Sequence, residues 1–146
     1  MNKLPITGAL LLMLFAGPAA ARDTHAMYPV AEALNTPEAK AKLDPKVKLY
    51  FGNQKHAKVV KDFGEGRTNK KTNGANKTDK EACEWVFLSA VLELQERARK
   101  DGANAVIGIK SNYRNEERSS DTEYMCGSGA LISGVALKGQ VVTLAQ

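Results

Sequence analysis

The stretch Thr78-Asp79-Lys80-Glu81-Ala82-Cys83-Glu84-Trp85-Val86-Phe87-Leu88-Ser89-Ala90-Val91-Leu92-Glu93-Leu94-Gln95-Glu96-Arg97-Ala98-Arg99-Lys100-Asp101-Gly102 decides the fold. Thr78 and Glu81 stand at capping-box spacing, each able to satisfy a backbone N–H that the first turn leaves orphaned. Cys83, Val86, Phe87, Ala90, Val91, Leu94 and Ala98 then recur at helical spacing on one face. Arg97, Arg99 and Lys100 crowd the last turn, where cations suit the dipole, and Gly102 can take the left-handed C-cap. The spacing predicts one long helix. A second stripe, Trp85-Leu88-Leu92, widens its apolar surface beyond what one sheet face needs. Cover from the N-terminal segment or the first helix is one reading of that stripe, and a subunit contact is the other.

Ala103 to Ile109 follows at once with strand composition, and Tyr113 to Ser120 is charged and turn-like. Thr122 to Val142 reads as two strands or one sharply bent strand, with glycines at 127, 129, 134 and 139 marking bulges, bends or close backbone approach. Upstream, Asn35-Thr36-Pro37-Glu38 opens a short helix that Asp44-Pro45 ends near Leu43. Residues 22–35 form an ordered lead-in. Val47 to Phe51 and Ala57 to Phe63 are candidate strands, and the polar tract 64–77 is expected as an exposed basic loop or hairpin extension. The expected fold is α+β: a small, mainly antiparallel sheet packed on one long helix, with a short N-terminal helix.

The chain begins with a secretory leader. Lys3 supplies a positive n-region and Ile6 to Phe15 a short apolar core. Gly17-Pro18 then precede Ala19-Ala20-Ala21, whose small side chains suit cleavage near Ala21. The apolar run is well short of the ~20 residues that span a bilayer. Residues 1–21 are therefore read as a signal peptide and 22–146 as a single domain in the periplasm or secreted, with no membrane span. The formal net charge of +5 falls to +4 when Lys3 leaves with the leader, too little by itself to argue for nucleic acid.

In an oxidising compartment the two cysteines, Cys83 and Cys126, are most simply paired, with buried free thiols as the alternative. Closing a loop of that length stabilises a domain by about 4 kcal/mol in the chain-entropy treatment. No Cys-x-x-Cys motif is present to make a redox-active pair. His25 and His56 lie apart from other ligands, no Gly-x-Ser-x-Gly elbow exists, and no phosphate-binding loop occurs. Glu116, Glu117, Asp121 and Glu123 sit beside Arg114 and Arg118, a pattern of solvated surface charge rather than an acid/base pair. The reading is a non-enzyme with no cofactor, no catalytic residues and no metal ligands. From Lys55 to Lys80 eight Lys or Arg face three carboxylates, so Arg67, Lys70, Lys71 and Lys77 form a candidate patch for an anionic partner. A solvated loop is the plainer explanation.

Gly102-Ala103-Asn104-Ala105-Val106-Ile107-Gly108-Ile109 after a long helix, Cys83 near that helix's start, and Cys126 ahead of Ser128 to Leu131 resemble the YbjQ-like fold. The Rcs outer-membrane stress-sensor lipoproteins share this pattern, with a core here of about 47–142. This chain has neither their lipidation cysteine nor their second cysteine pair, so their attachment and signalling role do not transfer. The YbjQ-like resemblance implies ring-shaped homo-oligomers and carries a heavy-metal label that the scarcity of ligands does not support. Tyr50-Phe51-Gly52-Asn53-Gln54-Lys55-His56 and Trp85-Val86-Phe87-Leu88-Ser89-Ala90 resemble uncharacterised bacterial exported proteins that often carry the label "excinuclease ATPase subunit". No ATP loop or zinc-finger cysteines support that label here. The expected role is a non-enzymatic interaction or sensor-like module that meets an envelope protein or an anionic envelope component. A small ligand or metal carrier is the alternative.

Overall fold

Thr78 starts the long helix as its spacing predicts: its hydroxyl accepts the Glu81 N–H at 3.1 Å, and α3 runs over Asp79–Asp101. Gly102 ends it with φ of 75°, a left-handed turn that a side chain would strain, and its N–H reaches back to the last carbonyls. The computed structural model describes residues 22–146, so the expected leader at 1–21 lies outside the described residues. Among the described residues no helix is long and apolar enough to cross a membrane.

The described residues are mixed α/β, with a seven-stranded sheet and three helices among them. The lead-in at 22–35 contains β1 (Asp23–Pro29) and α1 (Val30–Leu34), followed by α2 (Pro37–Lys42), which Thr36 caps by accepting from Ala39 N. Then come β2 (Lys48–Phe51), β3 (Val59–Asn73), α3, β4 (Ala105–Tyr113), β5 (Glu116–Arg118), β6 (Glu123–Gly129) and β7 (Ile132–Leu144). The C-terminal segment is two strands, the first of the two readings. β7 is the hub. It pairs antiparallel with β3 along one edge, and with β6 and then β4 along the other. β1 extends the sheet from β6. β2 joins β4 in parallel, the exception in an otherwise antiparallel set.

The tract 64–77 corrects the sequence reading. Most of it is not a loop: β3 continues to Asn73 in register with β7, from Gly66 opposite Gly139 to Asn73 opposite Ile132. Gly66, Thr68, Lys70 and Thr72 stand opposite Gly139, Leu137, Val135 and Ser133, whose face carries the main core, while Arg67, Asn69 and Lys71 take the other face. The period of two is present but written in polar letters, so hydrophobicity does not reveal it. The charged segment 113–120 likewise holds a hairpin, because Arg114 and Asn115 both take positive φ, 52° and 61°, as a two-residue primed turn requires.

α3 covers one face of the sheet and encloses the main core. Val86, Phe87, Ala90, Val91, Leu94 and Ala98 are buried against Val106, Ile109, Tyr124, Val135, Leu137 and Val141. Phe87 stacks on Tyr124 with ring centroids 3.9 Å apart. Cys83 and Cys126 are joined, S–S 2.09 Å, so the helix is cross-linked to β6 inside this core. Two smaller apolar clusters lie on the opposite face: Ala105, Val142 and Leu144 at one end, Tyr113, Met125 and Ala136 at the other. Tyr113 requires Gly127, since a Cβ there would sit 2.3 Å from its ring.

Candidate functional site

Between those two clusters the helix-free face is polar. Antiparallel pairing puts directly opposed residues on one face, with Cβ atoms about 5 Å apart. Arg67 of β3 opposes Lys138 of β7, and Lys138 opposes Lys110 of β4. Three cations therefore stand in a row across three adjacent strands. Like charges in such positions destabilise a sheet unless they are neutralised.

Two carboxylates partly neutralise the row. Glu65 accepts from Arg67 Nε at 2.6 Å. Its carboxyl is held below the ordinary range first by that bond, which with the charges of Arg67, Lys138 and Lys110 outweighs the opposing desolvation. Glu117, on the three-residue β5, contacts Lys138 Nζ and lies 4.0 Å from Lys110 Nζ. The Lys138 side chain is only 11 % exposed, whereas that of Glu117 is 51 % exposed. A hollow of about 220 Å³ opens here, lined by Glu65, Ile107, Gly108, Lys110, Lys138, Gly139 and Gln140. It lies where a bulge interrupts the β4–β7 register between Ile107 and Lys110. Asp62, at its rim, accepts from Gln140 Nε2 at 3.2 Å. Lys110, Lys138 and Glu65 line this hollow, Arg67 stands beside it holding Glu65, and three cations against two carboxylates leave a surplus positive charge on this part of the face.

The four residues of the basic patch do not meet. Arg67 belongs to the row. Lys71, opposite Gly134, shares its face farther along the strand. Lys70 stands on the helix side with Nζ 2.9 Å from Glu93. Lys77 lies past the strand, 5.5 Å from the Trp85 ring centroid, with Lys42 at 5.1 Å from the same ring. β-strand alternation is what divides them.

The Trp85-Leu88-Leu92 stripe divides too. Leu88 is buried, 4 % exposed, in a hollow shared with Thr36 and Glu38, so the chain's own N-terminal segment covers it. Leu92 is half-buried and Trp85 is 45 % exposed.

Of the histidines, His56 packs on Tyr50, while His25 sits edge-on to Tyr113. Its Nε2 is 3.2 Å from Asp23 and its Nδ1 4.0 Å from Glu116. These carboxylates also hold Arg114 and Arg118, and they flank the ring from opposite nitrogens. Among the described residues no group of three or more His, Cys, Asp or Glu is placed to share a metal ion. Asp121 is occupied by accepting the Asn53 N–H at 2.7 Å.

Lys110 and Lys138 do not figure in the sequence reading, and Glu117 figures there only as solvated surface charge. Each lysine is a single charge within a strand, and only the register of β3, β7 and β4 brings the two beside Arg67 and Glu117. Comparison with protein-family models, curated proteins and solved structures returns no match to this chain.

Proposed function

We propose that the protein is an exported, non-enzymatic interaction module that presents the helix-free face of its sheet to an anionic component of the cell envelope. The observation that carries this reading is the row Arg67, Lys138 and Lys110, held on three adjacent strands with one charge in surplus. A row of like charges is costly to fold, so it is poorly explained by stability alone. Export is supported by the leader and by the buried Cys83–Cys126 bridge, which suits an oxidising compartment. The YbjQ-like resemblance belongs to the same proposal: the long helix beginning near Cys83, the β4 strand after it and Cys126 ahead of Ser128 support it.

The test places a photo-cross-linking residue at Asn69 on the helix-free face, or at Lys100 on α3, in chain expressed with its leader in a Gram-negative host. Adducts from Asn69 and none from Lys100 in the envelope fraction, together with an Arg22 N-terminus, are the expected result. Equal yields from both positions, or protein retained in the cytoplasm, end the proposal.

The carrier reading draws on a different feature. A hollow of about 510 Å³, lined by Pro45, Lys48, Tyr50, Asn104 and Leu144 among others, is large enough for a small ligand. A purified chain that brings a stoichiometric small molecule through denaturing extraction favours the carrier instead.

A further inference from the structure

We infer that the row Arg67–Lys138–Lys110 is a binding site for a phosphate monoester dianion, kept closed in the free protein by the carboxylate of Glu117. This rests on the reading of the helix-free face as the contact surface and names what that face recognises.

Charge sets the ligand class. The row carries three positive charges, and Glu65 and Glu117 return two negative ones. If a dianion enters and Glu117 leaves, the same three cations face Glu65 and the ligand, and the site becomes neutral. A neutral ligand gains nothing from such a site. A monoanionic diester leaves it with a surplus. A tetrahedral phosphate also matches the donors, a guanidinium with a planar fork and two ammonium groups from neighbouring strands.

Glu117 is built to be displaced and Glu65 is not. Glu65 lies on β3 two residues before Arg67, which it holds directly. Glu117 instead belongs to β5, three residues long, exposed along its length and paired among the described residues with β4 alone. Among the described residues its carboxylate alone bridges Lys138 and Lys110. Lys138 is the enclosed member of the pair, its side chain 11 % exposed against 51 % for Glu117. An entering anion therefore competes with the more exposed partner for the ammonium. Glu116, next in sequence to Glu117, is engaged with Arg118 and approaches His25, away from the row. Of the other charges nearby, Asp62 accepts from the neutral Gln140 amide and makes no ion pair with the three cations, and Arg114 is paired with Asp23.

The same phosphate chemistry could come from a soluble monoester or from a lipid headgroup. Titration calorimetry with inorganic phosphate, and flotation with phosphatidylcholine vesicles containing either phosphatidic acid or phosphatidylglycerol, separate the two sources. Binding of both phosphate and phosphatidic acid vesicles assigns the site to the exposed monoester group. Binding of the vesicles alone assigns it to the lipid, and binding of phosphate alone to a soluble ligand. The expected pattern is saturable binding that Lys138→Met or Lys110→Met weakens about tenfold or more. Glu117→Gln tightens it about threefold or more, because the internal competitor is gone. Glu116→Gln makes the same change in net charge and leaves affinity unaltered, as does Lys77→Ala. Circular dichroism identifies any variant that fails to fold, and Lys110 provides the second cation should Lys138→Met do so. Equal tightening by Glu116→Gln and Glu117→Gln means diffuse electrostatics and overturns the site. So does absence of saturable binding to phosphate and to both vesicle types, or preference for phosphatidylglycerol. Cross-linking from Asn69 that persists in Lys138→Met would leave the contact surface standing while this ligand assignment fails.

Discussion

Gln95 shows how one buried polar residue can hold a connection that apolar packing alone would leave loose. It points from α3 into the turn between α2 and β2, where its amide donates to the Asp44 and Val47 carbonyls at 3.0 and 2.9 Å and accepts the Asp44 N–H at 3.0 Å. Every polar atom of the amide is used, so its burial costs little and its removal strands three backbone groups. Gln95→Ala is expected to lower stability by roughly 2–3 kcal/mol, read as a shift in the urea midpoint at constant slope. Tyr124 is the opposite case. Its ring stacks on Phe87, but its hydroxyl is buried with no partner among the described residues, and burial raises its pKa well above that of an ordinary phenol. Tyr124→Phe keeps the stack and discards an unsatisfied group, so the variant is expected to match or exceed the parent by up to about 1 kcal/mol in the same titration. A loss of stability there would mean that the hydroxyl has a partner in solution.

At the scale of the element, β3 is the instructive one. Its polar residues form a regular ladder because β7, whose own pattern is strongly apolar on the helix side, offers a long edge to pair with. Gly66 also lets the end of α3 approach, since a Cβ there would already lie 3.3 Å from Leu94. In hydrogen exchange, alternate amides between Arg67 and Asn73 should be protected well beyond loop rates. Uniformly fast exchange across that stretch would return it to a loop.

The end of α3 carries a second consequence. Arg99 holds Asp44 across the α2–β2 turn at 3.0 Å and pairs with Glu96 on its own helix. The Asp44 carboxyl lies below its usual value, first because it accepts the Lys46 N–H and then because of Arg99; the Arg99 bond does the same to Glu96. A carboxylate depressed in the folded state contributes stability above its unfolded pKa and loses that contribution as the pH falls through the folded one. Stability should therefore hold through neutral pH and decline below about pH 4. Asp44→Asn should flatten part of that decline in urea midpoints measured across pH, and an unchanged acid slope would rule out Asp44 as a contributor.

For the whole molecule, the Cys83–Cys126 bridge joins the two layers where they are most deeply buried, 43 residues apart in the chain. It ties the start of α3 to β6, and β6 in turn holds β1, so the cross-link secures the N-terminal strand as well as the helix. The Cys83→Ser and Cys126→Ser double variant is expected to lose about 4 kcal/mol, much of the net stability of a small domain. The loss should appear as a lower denaturation midpoint, and reduction of the parent protein should reproduce it. An unchanged midpoint would show that the packed layers need no covalent tie.

By itself the sequence determined α3, its cap at Thr78 and its stop at Gly102, because capping and helical periodicity are local signals that survive without neighbours. It determined α2, the strands at 48–51 and 105–109, and which two cysteines could pair, because those follow from short-range pattern and from there being only two. Tertiary structure decided the rest. That the basic tract is a strand, that β2 runs parallel to β4, and that Leu88 is covered from within the chain all depend on which edges and faces the other elements leave free. The cation row depends on it most of all. Arg67, Lys110 and Lys138 are far apart in the chain, and strand register alone makes them neighbours.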